Sequence, residues 1–233
     1  MMQAHRIKLW DLPTRLFHWL LVLLVALAFA TGLTGGSWIG WHGWIGLAIL
    51  GLIVFRIVWG FIGSTYVRFS QFIPGPHTIL SYLRGRWHGM GHNPLGGISV
   101  LVLLTLLLVQ GLTGLFANDD IAFSGPLRSL VSSETSRWLS GLHRQSIWII
   151  GGFVALHIAA ILFHTWVRGD NLIWPMITGY KMTQEPLAHS ARGGGPLALV
   201  LALAITAGAV WIAAGGLLPP QPPPPPAGSV LDW

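Results

Sequence analysis

Five runs of about 20 apolar residues, near 16–34, 41–63, 97–117, 145–167 and 196–217, constrain this chain more than any other feature. A helix of that length crosses the hydrocarbon core of a bilayer, and only helices or closed barrels satisfy every backbone polar group there. Composition agrees: 53% of the 233 residues are apolar and 9% are charged, too little surface charge for a soluble core of this size. The expected fold is all-α, in a membrane.

The punctuation between spans refines this. Thr31-Gly32-Leu33-Thr34-Gly35-Gly36 reads as a loop, and the first span lacks a small-residue cleavage site, so it is expected to be retained. Pro74-Gly75-Pro76 breaks the chain before a short interfacial stretch at 77–87, and Asn93-Pro94 opens the third span with proline in its first turn. The proline run at 219–226 is expected to form an extended polyproline stem. Cysteine is absent, which excludes disulfides, iron–sulfur clusters, thioether-bound haem and a Cys nucleophile.

Lys and Arg sort by loop. Arg6, Lys8 and Arg15 precede the first span, Arg68, Arg84 and Arg86 follow the second, and Arg168, Lys181 and Arg192 follow the fourth. The opposite side has only Arg128, Arg137 and Arg144, offset by Asp119, Asp120 and Glu134. The positive-inside rule places the N-terminus on the cytoplasmic side and the C-terminus outside. Lipid headgroups beside the spans account for the net charge of +6 better than nucleic acid does. Tryptophans at 10, 38, 41, 138 and 174 fall near span ends, as an aromatic belt would.

Hydrocarbon tolerates few polar side chains without a reason, yet His18, His42, His143 and His157 lie in or at the edges of these spans. His143 and His157 are 14 residues apart, a rise of about 21 Å with a rotation that returns to within about 40° of the same face. Under the derived topology, His42 meets His143 near the outer surface and His18 meets His157 near the inner one. Each pair would supply both axial nitrogens of one haem iron, leaving no open position, which suits electron transfer. Zinc or copper would prefer ligands clustered at one point. Glycines at 43, 46, 51, 111, 114, 151 and 152 would let helices approach a large ring.

Arg56 follows His42 by 14 residues, on nearly the same face at the depth of the inner pair, where a haem propionate would be its counter-anion. Arg15 and Arg144 sit beside His18 and His143 for the same role, with headgroup snorkelling as the competing reading. His164 reads as an interfacial structural residue, with proton transfer or quinone binding as the alternative. His92 reads as ordering the loop before the third span, and Gln110 as an interhelical hydrogen bond.

Trp10-Asp11-Leu12-Pro13-Thr14-Arg15-Leu16-Phe17-His18-Trp19, His42-Gly43-Trp44-Ile45-Gly46 through Arg56-Ile57-Val58-Trp59-Gly60, His92-Asn93-Pro94-Leu95-Gly96, Leu142-His143-Arg144 through Leu156-His157, and Met176-Ile177-Thr178-Gly179-Tyr180-Lys181 resemble the bacterial cytochrome b561 family. The same segments resemble the b-type cytochrome subunits of nickel–iron hydrogenases. The resemblance covers about residues 8–181. It implies a four-helix transmembrane bundle with two haem b groups on His18, His42, His143 and His157, exchanging electrons between quinone and a second redox protein. A fifth C-terminal transmembrane helix departs from the simplest family pattern. The expected organisation is a dihaem core at 1–181, a cytoplasmic linker at 182–195, the fifth helix at 196–218 and a proline-rich periplasmic tail at 219–233.

The expected function is electron transfer across the inner membrane between the quinone pool and a periplasmic hydrogenase, dehydrogenase or c-type cytochrome, met by loops 35–41 and 118–142. A stand-alone superoxide oxidase reducing quinone ranks lower, because the outer loops are mixed in charge. A His-lined metal transporter without redox chemistry ranks lower still, since the spans have almost no acidic or polar path.

Overall fold

Asp11 starts the first long helix, α1 (Leu12–Thr34), by accepting the Thr14 amide on its carboxylate at 2.8 Å, with proline in the first turn. Its other oxygen accepts the Trp59 indole N–H at 3.0 Å, and Trp59 is fully buried. One side chain thus caps α1 and anchors it to the next helix. Asp11→Ala is expected to cost about 1 kcal/mol for the cap and a further 1–3 kcal/mol, roughly, for the orphaned indole, seen as a lower melting midpoint in detergent.

The computed structural model describes residues 5–87, 89–121, 123–185 and 188–219, so the proline-rich tail beyond them lies outside the described residues. Among the described residues, five helices are long and apolar enough to cross a membrane. Helix α2 (Ile39–Ile62) is the hub, packed against α1, against α5 (Pro94–Leu115) and against α8 (Pro196–Ala213). Helix α5 packs in turn on α6 (Ser133–Trp166). Asn93 caps α5 through the Gly96 amide at 2.7 Å, with Pro94 in the first turn as the sequence implies. The break at Pro74-Gly75-Pro76 gives the short helices α3 (Phe69–Phe72) and α4 (Pro76–Leu83), the second over the expected interfacial stretch.

The helix boundaries differ from the hydropathy reading at several ends: α1 starts at Leu12 rather than 16, and α8 ends at Ala213 rather than 217. Thr31–Thr34 is not loop but the last turn of α1, because the Thr31 and Thr34 hydroxyls return to the carbonyls of Leu27 and Ala30, and the chain turns only at Gly35, φ 64°. Helix α6 begins at Ser133 rather than 145, capped by Ser132 on the Thr135 amide. Its first three turns are polar, so a scan for apolar windows cannot register them. Over 34 residues it is about 51 Å long, against about 30 Å of hydrocarbon. Much of the expected 118–142 loop is therefore helix.

At the end bearing the basic residues, a small cap closes the bundle. Strands β1 (His5–Lys8) and β2 (Tyr180–Thr183) pair antiparallel, Lys8 opposite Tyr180, after the short helix α7 (Ile173–Thr178). The amides of Leu9 and Trp10 both donate to the Gly179 carbonyl, and Gly179, φ 88°, has the Trp10 carbonyl 2.8 Å from where a Cβ would stand. The segment expected as a linker is stitched into this cap: the Ala191 amide donates to Lys8 and the Thr65 amide to Arg192.

Candidate functional site

Two helical hairpins, α1–α2 and α5–α6, present imidazoles to a shared interior. His42 on α2 and His143 on α6 face each other with ring centroids 5.9 Å apart and planes at 89°. They border a pocket lined chiefly by Val25, Phe29, Ile49, Leu107, Ile147 and Ile150, with Gly46 and Gly111 in its wall. Each ring is held from behind in the same way. The Nδ1 of His42 lies 3.0 Å from the Ala28 carbonyl, and that of His143 lies 2.9 Å from the Gln110 carbonyl. A carbonyl only accepts, so both Nδ1 atoms carry the proton and both Nε2 atoms keep a free lone pair.

Space for each ring comes from a glycine on the partner helix. A Cβ at Gly32 would stand 2.9 Å from Cε1 of His42, and one at Gly114 would stand 3.0 Å from Cε1 of His143. Gln110 braces the same site, donating to the His143 carbonyl at 3.0 Å and accepting from the Ser146 hydroxyl. Gly51, by contrast, seats Val210 and Thr206 of α8 rather than facing the cavity.

His18 on α1 and His157 on α6 occupy the other depth. The Nδ1 of His18 is buried without a partner among the described residues, and that of His157 lies 3.5 Å from the Ser99 hydroxyl. Arg56 is buried at 3% exposure; one guanidinium nitrogen donates to the Val67 carbonyl at 3.1 Å, while Nη1 has no hydrogen-bond partner among the described residues. Arg15 donates to the Ile177 carbonyl, and Arg144 is exposed beside His143.

His92, read from sequence as a loop residue, belongs to this inner cluster. Its ring packs between Trp10 and Phe72, with centroids 4.7 Å from each, and its Nδ1 is buried and unpartnered. Burial first, then Arg56, His157 and His18 nearby, push this imidazole down to about 3, so it is neutral at any ordinary pH. Among the described residues no three His, Asp or Glu side chains converge on one point, and the donor set is one of pairs.

Residues 9–179 match the prokaryotic cytochrome b561 family. The chain belongs to that family. It is also 24% identical over 213 residues, 74% of this chain and 89% of the relative, to the protein described as probable Ni/Fe-hydrogenase 1 B-type cytochrome subunit in Escherichia coli K12, and equally to its counterpart in Escherichia coli O157:H7. No solved structure matches.

As a cytochrome b561 the protein is a multi-pass membrane b-type cytochrome that works in electron transfer, and haem b is the family's cofactor. The residues fit the group. Two imidazoles sharing one metal at about 2 Å each have ring centroids about 6 Å apart, and His42 and His143 stand at 5.9 Å with Nε2 available on both. Arg56 Nη1, with no hydrogen-bond partner among the described residues, is a donor that would serve a propionate oxygen. Gly32→Leu is expected to drive the His42 ring off its carbonyl and empty that position, measured as a fall in haem per protein with the elution profile unchanged.

Sequence reading passed over Gly32, which lies in a segment taken for a loop. The available signal was the Thr-Gly pair at 31–32 and again at 113–114, each at the back of one histidine.

Proposed function

We propose that the protein carries two haem b groups, one on His42 and His143 and one on His18 and His157, and relays electrons across the bacterial inner membrane between a periplasmic redox protein and quinone. The carrying observation is the facing pair of imidazoles whose Nδ1 atoms are tied to backbone and whose Nε2 atoms are free. Arg56 holds a propionate of the inner group, with Arg15 and Arg144 completing the basic flanks. The polypeptide's task is to fix the ligands, exclude water and set the local charge; the bound iron supplies the one-electron chemistry.

A lipid-side groove between α4, α5 and α6 supports the quinone end. It is lined by Tyr82, Leu95, Leu156, Phe163, His164 and Arg168, and the Tyr82 hydroxyl and His164 Nε2 lie 3.3 Å apart. His164 is two helical turns from His157, at the end bearing most basic residues, which the positive-inside rule assigns to the cytoplasm. An apolar slot ending in a hydrogen-bonding pair accepts a quinone ring and its protons. The relative's name, a hydrogenase b-type cytochrome subunit, supports a hydrogenase as the redox partner. Residues 1–181 form the cofactor core, and α8 braces α2.

The test is the haem-to-protein ratio of the purified protein with its reduced-minus-oxidised spectrum. Two haem b per chain are expected; a colourless preparation overturns the reading.

A further inference from the structure

The two imidazole pairs are built on one plan at one end and not at the other. At the His42–His143 pair, α1 and α5 each offer a carbonyl, a threonine three residues on and a glycine one residue later: Ala28, Thr31 and Gly32; Gln110, Thr113 and Gly114. The Thr31 and Thr113 hydroxyls each lie 3.3 Å from the Nδ1 of their histidine. Each hydroxyl proton is directed to a carbonyl of its own helix, Leu27 at 2.7 Å and Val109 at 2.9 Å. The hydroxyl oxygen therefore meets the imidazole N–H as a second acceptor. Both imidazoles donate to two oxygens, which pushes electron density onto Nε2 and makes each a stronger donor to a metal.

At the other pair this apparatus is missing. Among the described residues the Nδ1 of His18 has no acceptor, and the Nδ1 of His157 has only the Ser99 hydroxyl at 3.5 Å. The repeat breaks in a second way. His157 follows His143 by 14 residues on α6, and the residue 14 after His42 on α2 is Arg56, so a buried guanidinium, packed on Phe69 and Phe72, stands where the plan would place a second histidine of α2. Arg144, near the first pair, is exposed and its charge is screened by solvent.

Electron-rich ligands favour the oxidised, more positive metal, and a buried cation favours the reduced one. We propose that these residues order the two centres in potential, the His42–His143 centre low and the His18–His157 centre high, and so fix the direction of electron flow. One electron at a time passes from the reduced His42–His143 centre, which is oxidised, to the oxidised His18–His157 centre, which is reduced; no bond is made or broken. The ordering rests on the two-haem reading above. With the orientation proposed there, flow runs from the periplasmic donor to quinone near His164, making quinone the acceptor. The drop in potential also offsets the work of carrying negative charge toward the negative side of an energised membrane.

The experiment is a potentiometric titration of the full-length protein in detergent, followed in the haem absorption bands. Two one-electron waves are expected. Thr31→Val with Thr113→Val removes two acceptors at nearly constant volume. It should raise the lower wave by about tenfold in the reduction equilibrium, about 59 mV for a one-electron couple, and leave the upper wave in place. Arg56→Gln should depress the upper wave, and Arg56→Lys, which keeps the cation, should restore it toward the parent value. His143→Ala should retain the upper wave only. A threonine double variant that moves the upper wave or neither, or a His143→Ala protein left with the lower wave, overturns the ordering while leaving two haems standing. Fewer than two haems in the parent protein overturns both readings.

Discussion

Replacing His143 by Ala is expected to halve the haem content of the purified protein and to abolish electron delivery from the outer side, while the protein still elutes as the parent does. The ring is one of two faces on a shared position, and Ala leaves a void between Gln110, Gly114 and His42 that water fills poorly among apolar walls. A single remaining imidazole loses both the second bond and the clamped geometry. The other pair lies about 21 Å along α6 and shares none of these supports, so its haem is expected to stay. His157→Ala should give the converse. Both haems retained in either variant would refute the pairing.

A second large effect is expected at the groove. His164→Leu keeps the apolar volume but removes the nitrogen that faces the Tyr82 hydroxyl. Proton delivery by a positioned side chain is worth about 10²–10⁴-fold, so quinone reduction by the dithionite-reduced protein should fall about 100-fold with both haems in place. Tyr82→Phe should fall less, since His164 and Arg168 persist. Stopped-flow oxidation by a soluble quinone analogue reads this directly, and an unchanged rate in His164→Leu would remove the groove from the reaction.

The parts of this fold legible in the sequence were those governed by hydrocarbon. Five membrane-length helices follow from solvation alone, and the proline at 94 and the break at 74–76 are local rules that tertiary packing did not overrule. The four histidines were legible because each is costly where it stands. Their supports were not. Thr31 and Gly32 sit in a Thr-Gly-rich string that reads as a turn by propensity, yet the hydroxyl-to-carbonyl bonds carry the helix through it. His92 does lie in the loop before α5, but its neighbours Trp10 and Phe72 come from distant parts of the chain and leave no local trace. The β1–β2 pair joins residues nearly 180 apart and leaves no periodic trace. Polar helix at 133–144 is invisible to hydropathy, and only the cap at Ser132 marks its start.

That polar extension changes how anything docking at the N-terminal end of α6 could reach the interior. Ser136 and Ser140 pin it to the carbonyls of Phe116 and Asn118, and Trp138 stands exposed five residues before His143 on the same unbroken rod. A stiff rod transmits displacement with little loss over about 8 Å. A protein that grips Trp138 therefore holds, by the other end of one lever, a ring that faces His42.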